Sequence, residues 1–154
     1  MPGFLDVFGA GWNGEQISWC PLYPNRPYRC WRDNAKFSKD ELSAEYRFVM
    51  AYENFRGRRG YISEKIFDAL QAGSVPVYLG EERIAEFVPR EAFVDARNFR
   101  TARELLAYLA SCPEREWDEM RQAGQSFLLS AAFRSFTDEA FAERMTDVLK
   151  KILQ

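Results

Sequence analysis

Arg56, Arg58, Arg59 and Lys65 crowd one short stretch of chain, interleaved with Gly57 and Gly60 and joined by Ser63 and Glu64. Residues of these types suit a phosphorylated ligand. Guanidinium and ammonium groups donate charge-assisted hydrogen bonds to phosphate oxygens, and glycine lets the backbone approach an anion closely. A carboxylate beside the lysine can accept from ribose hydroxyls while the ammonium meets a diphosphate. The pair Glu64-Lys65 is therefore a candidate nucleoside-diphosphate site, although acidic residues are favoured in the first turn of any helix.

Other chemistries are excluded by what the chain lacks. Its 154 residues contain no His, which removes His-based acid–base catalysis, Ser-His-Asp triads and His-ligated metals. Three cysteines, at 20, 30 and 112, make neither a zinc site nor a disulfide framework; they read as reduced thiols of a cytoplasmic protein, with a Cys20–Cys30 bridge as the alternative. With 21 Lys+Arg against 23 Asp+Glu, nucleic-acid binding by bulk charge is not expected. No stretch reaches the ~20 apolar residues of a membrane span, and residues 1–6 do not read as a signal peptide. Gly9, Gly11 and Gly14, with Asp33 beyond them, spell a dinucleotide fingerprint. That motif needs a helix starting inside it, and Pro21, Pro24 and Pro27 leave no room for one, so NAD is not predicted.

The elements that must position the cationic stretch follow from patterning. Residues 4–8 read as a strand, and residues 12–32 as a proline-punctuated loop. A short helix covers residues 39–45, capped by Ser38. Residues 46–52 are almost continuously apolar, as in a strand buried on both faces of a parallel sheet. Ser63 is placed to cap a helix running to Ala72, with Gly73 ending it. Ile66, Phe67 and Leu70 share that helix's apolar side, and Glu64, Lys65 and Asp68 lie off it. The next strand is residues 75–79. Its Pro76 belongs at the strand's start or on an unpaired side. A short helix at 82–86 and a strand at 92–95 follow. Thr101 and Glu104 form a capping box for a helix through Ser111, and Pro113 opens another carrying Trp117, Met120, Phe127 and Leu128. Thr137 starts the last helix, where Phe141, Met145, Val148, Leu149 and Ile152 keep a helical stripe. Strands alternating with helices, then a helical C-terminal tail, predict one α/β domain over 1–154 with a mostly parallel sheet. In such a sheet the loop after residue 52 lies at the strands' carboxyl ends, where ligands bind.

Tyr52-Glu53-Asn54, Gly60-Tyr61-Ile62-Ser63-Glu64-Lys65-Ile66 and Val75-Pro76-Val77-Tyr78-Leu79-Gly80 together resemble the donor-binding motif of the α1,3/α1,4-fucosyltransferases, glycosyltransferase family 10. Arg47-Phe48, Asp6-Val7-Phe8-Gly9 and Phe93-Val94-Asp95 resemble further landmarks of that family. The resemblance is strong over residues 46–99, weaker over 4–45, and only general after 101. Phe55 stands where the family has Ser, Ser63 replaces Thr and Leu79 replaces Trp.

The resemblance implies a Rossmann-like, three-layer domain, the C-terminal half of a GT-B glycosyltransferase that binds GDP-fucose as donor. It implies inverting transfer of L-fucose to an acceptor glycan, without a tightly bound metal or other cofactor. By the same resemblance Glu64 and Lys65 contact ribose and diphosphate, with Asn54 and Tyr61 also in the donor site. An upstream arginine, one of Arg26, Arg29 or Arg32, contacts phosphate. With Arg58, Arg59 and Ser63 these form the candidate donor site. The acceptor-side base belongs to an N-terminal domain in this family, and none is identifiable here, since Glu53 reads as a strand-end structural residue. The chain is thus expected to be a donor-binding half: a fragment, a truncated gene product, or the partner of a separate N-terminal acceptor domain. A non-catalytic nucleotide-sugar module and an interaction domain are the alternatives. Trp12 and Trp31, in predicted loops, are the aromatics considered for stacking on a ligand. Asp95 either lines the cleft or caps the following turn. Lys150-Lys151 is a weak basic signal for the inner membrane face of the cytoplasm.

Overall fold

The computed structural model describes residues 6–8, 29–31, 39–55 and 59–153. The expectations placed on Gly9, Gly11, Trp12, Gly14, Cys20, Arg26, Arg32, Ser38, Arg56, Gly57 and Arg58 lie outside the described residues. Strands β1 (Asp6–Phe8) and β2 (Arg29–Trp31) form a parallel pair, in register from Asp6 opposite Arg29 to Phe8 opposite Trp31. The sequence predicted only loop at β2. Three residues are too few to show a period, and the strand exists through its partner, so Trp31 belongs to a strand and not to a loop.

After helix α1 (Lys39–Ala44) comes a three-stranded parallel sheet in the order β3 (Phe48–Tyr52), β4 (Val75–Leu79), β5 (Val94–Asp95). Phe48 lies opposite Val75, Tyr52 opposite Leu79, and Val77 opposite Val94. Helix α2 (Lys65–Gln71) joins β3 to β4. Helices α3 (Ala102–Ser111), α4 (Glu114–Leu128), α5 (Ala131–Arg134) and α6 (Asp138–Ile152) complete the chain. Parallel strands with helices on both faces make this a three-layer, Rossmann-like α/β fold.

Alternation along β4 sorts the two faces. Tyr78 points to one side, where Ala51, Ile66, Leu70, Phe93 and Phe127 are buried with it. Val75 and Val77 point to the other, against Val94, Leu105 and Leu109. Helix α2 thus covers one face and α3 the opposite one. Helix α4 serves both, with Trp117 and Met120 against the second cluster and Ala123 and Phe127 in the first. Its Gly124 lets α2 come close, because a Cβ there would meet the Leu70 Cδ2 methyl.

Several local expectations meet their physical counterparts. The Val75 N–H bonds Arg47 O and the Glu53 N–H bonds Leu79 O, so odd positions of β4 face β3. Pro76, with no donor, therefore turns toward β5, whose pairing begins only at Val77. Gly73 ends α2 with φ +81°, a conformation that favours glycine. Thr101 Oγ1 accepts the Glu104 N–H at 3.1 Å, and the Glu104 carboxylate accepts from the Arg100 N–H, one residue outside the ideal box.

Others are corrected. Strand β3 starts at Phe48 and is not buried on both faces, because it is an edge of the described sheet and Met50 and Tyr52 are 39% and 37% exposed. The predicted strand at 92–95 shrinks to two residues, Ala92 closing a 3-10 turn instead, and the helix at 82–86 is a 3-10 turn over Ile84–Glu86. On α6 the whole apolar stripe is exposed.

At the amino-terminal end of the sheet, Arg47 ties β3 to the α3–α4 junction. Its guanidinium donates to Cys112 O at 3.2 Å and lies 5.1 Å over the Trp117 ring, while Trp117 Nε1 donates back to Arg47 O at 2.9 Å. The buried Cys112 is a free thiol, its pKa pushed up by burial. Among the described residues no helix is long and apolar enough to cross a membrane.

Candidate functional site

Because β3 and β4 run parallel, residues 53–55 and 80–81 emerge together at the carboxyl end of the sheet, beside the loop of residues 59–64 that leads into α2. Two buried carboxylates organise this corner. Glu53 Oε1 accepts the Ser63 N–H at 2.8 Å and Oε2 accepts the Ser63 hydroxyl at 2.6 Å. Glu81, only 3% exposed, accepts the Gly60 N–H and, at 3.1 Å, the Arg83 N–H. Its own N–H donates to the Tyr78 hydroxyl oxygen at 3.0 Å. The N–H donors of Arg83 and Gly60, helped by the nearby Arg83 and Arg59 charges, hold the Glu81 carboxyl below its ordinary range. Burial pushes the Tyr78 phenol up to about 12.

Two glycines permit the arrangement. Gly60 sits at φ +76°, in the left-handed region that side chains disfavour. Gly80 has no room for a Cβ, which would run into Glu53 Cγ and the Tyr78 hydroxyl. That close approach accounts for a glycine at the end of Val75-Pro76-Val77-Tyr78-Leu79-Gly80.

The predicted site residues come together in part. Lys65 Nζ donates to Tyr52 O at 2.9 Å and to Asn54 Oδ1 at 2.7 Å, so strand end and helix start are joined by the predicted pair. Tyr61 meets Phe55 edge-on at 5.7 Å, with Phe55 half exposed. Arg59 and Glu64 are exposed on the same loop. Arg58 lies outside the described residues, and of the three upstream arginines only the backbone of Arg29, in β2, is described.

Ser63 departs from its expected role. It does not cap α2, which starts at Lys65 with Glu64 in the capping position and no side-chain cap bond. Its hydroxyl donates to Glu53 Oε2 instead of accepting a helix N–H. The strand-end structural role predicted for Glu53 is what the geometry shows. Glu81 and Tyr78 were missed by sequence reasoning. The signal present was a glycine followed by a carboxylate at a strand end, which shows nothing until the loop it grips is in place.

Asp95 resolves to a cap. Oδ1 accepts the Arg97 N–H at 3.0 Å and Nε–H at 2.9 Å, and Oδ2 accepts from Nη2 at 2.7 Å. Burial opposes its charge, and the bonds from Arg97 outweigh burial, leaving the carboxyl below its usual range. Among the described residues no group of three or more Cys, Asp or Glu is gathered as metal ligands would be.

The family model described as Glycosyltransferase family 10 (fucosyltransferase) C-term matches residues 5–121. The chain belongs to glycosyltransferase family 10. Human alpha-(1,3)-fucosyltransferase 4 is 45% identical over 108 residues, covering 68% of this chain and 17% of the relative. Mouse alpha-(1,3)-fucosyltransferase 7 is 49% identical over 74 residues, 46% of this chain and 19% of the relative. Alpha-(1,4)-fucosyltransferase of Arabidopsis thaliana is 41% identical over 66 residues, 43% of this chain and 16% of the relative. This family 10 chain thus matches less than a quarter of the length of these relatives. Among solved structures, an alpha1,3-fucosyltransferase with GDP-fucose superposes with a TM-score of 0.51 at 26% identity, over 64% of this chain and 28% of that one. An alpha1,3-fucosyltransferase with GDP gives 0.56 at 20% identity, over 89% and 48%, and supports the fold alone. The GT-B, Rossmann-like expectation agrees with these superpositions.

Proposed function

We propose that this chain is the GDP-fucose-binding half of an inverting fucosyltransferase, the acceptor glycan and the general base being held by a separate acceptor domain. The observation that carries the reading is the Lys65–Asn54 junction at the sheet's carboxyl end, beside exposed Arg59, Glu64 and half-buried Tyr61. In this reading Lys65, with Arg58 and Arg59, neutralises the leaving diphosphate, so that fixed cations rather than a resident metal stabilise its charge. Lys65 retains donor capacity, since an ammonium has three N–H groups and its two bonds run to Tyr52 and Asn54. Glu64 accepts from the ribose hydroxyls, and Asn54 and Tyr61 complete the pocket. Ser63, bonded to Glu53, shapes the loop.

Calorimetric titration of the chain with GDP and GDP-fucose, against UDP and ADP, tests this. Guanine nucleotides bind selectively, and Lys65→Ala weakens them roughly tenfold to a hundredfold, as loss of a hydrogen bond from a charged group does. A folded chain that binds no guanine nucleotide overturns the proposal. Binding without transfer when a fucosyl acceptor is supplied leaves the donor site standing and favours the reading of the chain as a non-catalytic nucleotide-sugar module.

A further inference from the structure

We infer that Glu81 is a positioning residue for the donor site, its buried carboxylate latching Gly60 so that Arg59 and Tyr61 are presented to the nucleotide diphosphate. The inference rests on the donor-binding reading above and adds to it a residue outside the cationic stretch. A carboxylate is seldom buried without partners. Those of Glu81 are the backbone N–H of Arg83, two residues on, whose guanidinium Nε also lies 3.9 Å from Oε1, and the N–H of Gly60, 21 residues back. The Gly60 bond ties the end of β4 to the middle of the site loop.

What hangs on that bond is the loop's shape. Gly60 lies between Arg59 and Tyr61, at a backbone conformation with φ +76° that the rest of the chain must hold in place. Glu53 grips the same loop three residues later, at Ser63. The segment from Gly60 to Ser63 is therefore fixed at both ends by carboxylates from the ends of neighbouring strands. A ligand that meets a loop already held does not have to offset the entropy of ordering it. The charge of Glu81 also attracts the nearby Arg59.

Simple electrostatics predicts the opposite consequence, which makes the inference testable. Removing a negative charge near a diphosphate should tighten binding if charge alone mattered. Latching predicts loss instead. Glu81→Ala weakens GDP about tenfold, whereas Glu81→Gln, which keeps an oxygen to accept from Gly60, stays within about threefold of the parent. The Gly60 amide proton resonance, read by NMR in the free chain, moves upfield in Glu81→Ala and much less in Glu81→Gln. Tighter GDP binding by both variants, or unchanged affinity in Glu81→Ala with only a lower Tm, overturns the positioning role. The parent chain and Lys65→Ala run alongside. If the parent fails to bind GDP, the donor reading falls and the positioning role with it. If the parent binds and Lys65→Ala loses binding while Glu81→Ala does not, only the positioning role falls.

Discussion

Helices α2 and α6 carry apolar stripes with the same helical spacing, and the protein treats them in opposite ways. On α2, Ile66 and Leu70 are 0% and 1% exposed, packed under Ala51, Tyr78 and Phe127. On α6, Phe141, Met145, Leu149 and Ile152 are 62%, 44%, 52% and 71% exposed. Helical periodicity reports which residues share a face. It does not report whether the fold supplies something to cover that face. The polar groups show the same contrast: around α2 the carboxylates of Glu53 and Glu81 are buried and bonded to backbone, whereas the ion pair of Arg134 with Glu143 near α6 is well exposed.

The comparison is sharpest at its apolar end. Leu70→Ala costs about 2–5 kcal/mol by chemical denaturation, as deletions from a tight core do. A loss under about 1 kcal/mol would break the claim that α2 is the packed helix. Gly80→Ala comes next, because its methyl must displace Glu53 or Tyr78. We expect about 1–3 kcal/mol of destabilisation, the usual range for overpacking, together with weaker GDP binding. A variant as stable as the parent would mean that the site corner has slack.

Acid titration is the third test and concerns Asp95, on the α2 side of the contrast. Its folded pKa is lowered. The stabilisation is therefore complete above the unfolded value of about 3.9 and is lost as pH falls through the folded value. Tm measured from pH 6 down to pH 2 should fall less steeply in Asp95→Asn than in the parent, and identical slopes would refute the Arg97 pairing as a stabilising element. The smallest effect belongs to α6. Leu149→Ala changes stability by no more than about 0.5 kcal/mol, as surface substitutions do. A loss comparable to that of Leu70→Ala would show the stripe to be covered in solution.

The fold was legible wherever a local rule decided the outcome. Gly73 ends α2, Thr101 caps α3 and Pro113 opens α4, each for a reason confined to neighbouring residues. At the candidate site, the meeting of Asn54 with Lys65 was legible because the motif places both in one segment. What sequence could not give depended on a distant partner. Strand β2 needs β1, the Ser63 hydroxyl chooses Glu53 over the helix start, and Glu81 has no role until Gly60 is beside it. Four-residue α5 is too short to leave a period, and its Ser130 cap is visible only in the structure.

The two ends of β3 also differ in how far along the chain their fastenings reach. Arg47 reaches 65 residues to Cys112, while Glu53 reaches only ten to Ser63 and Lys65 eleven to Asn54. Loop-closure entropy rises with the logarithm of span, so the short closures cost about 1.5 kcal/mol less each. The bonds of the candidate site thus close within residues 52–83, whereas the helix that opens from it, α2, is seated by Gln125 and Phe127 of α4, more than fifty residues further along the chain.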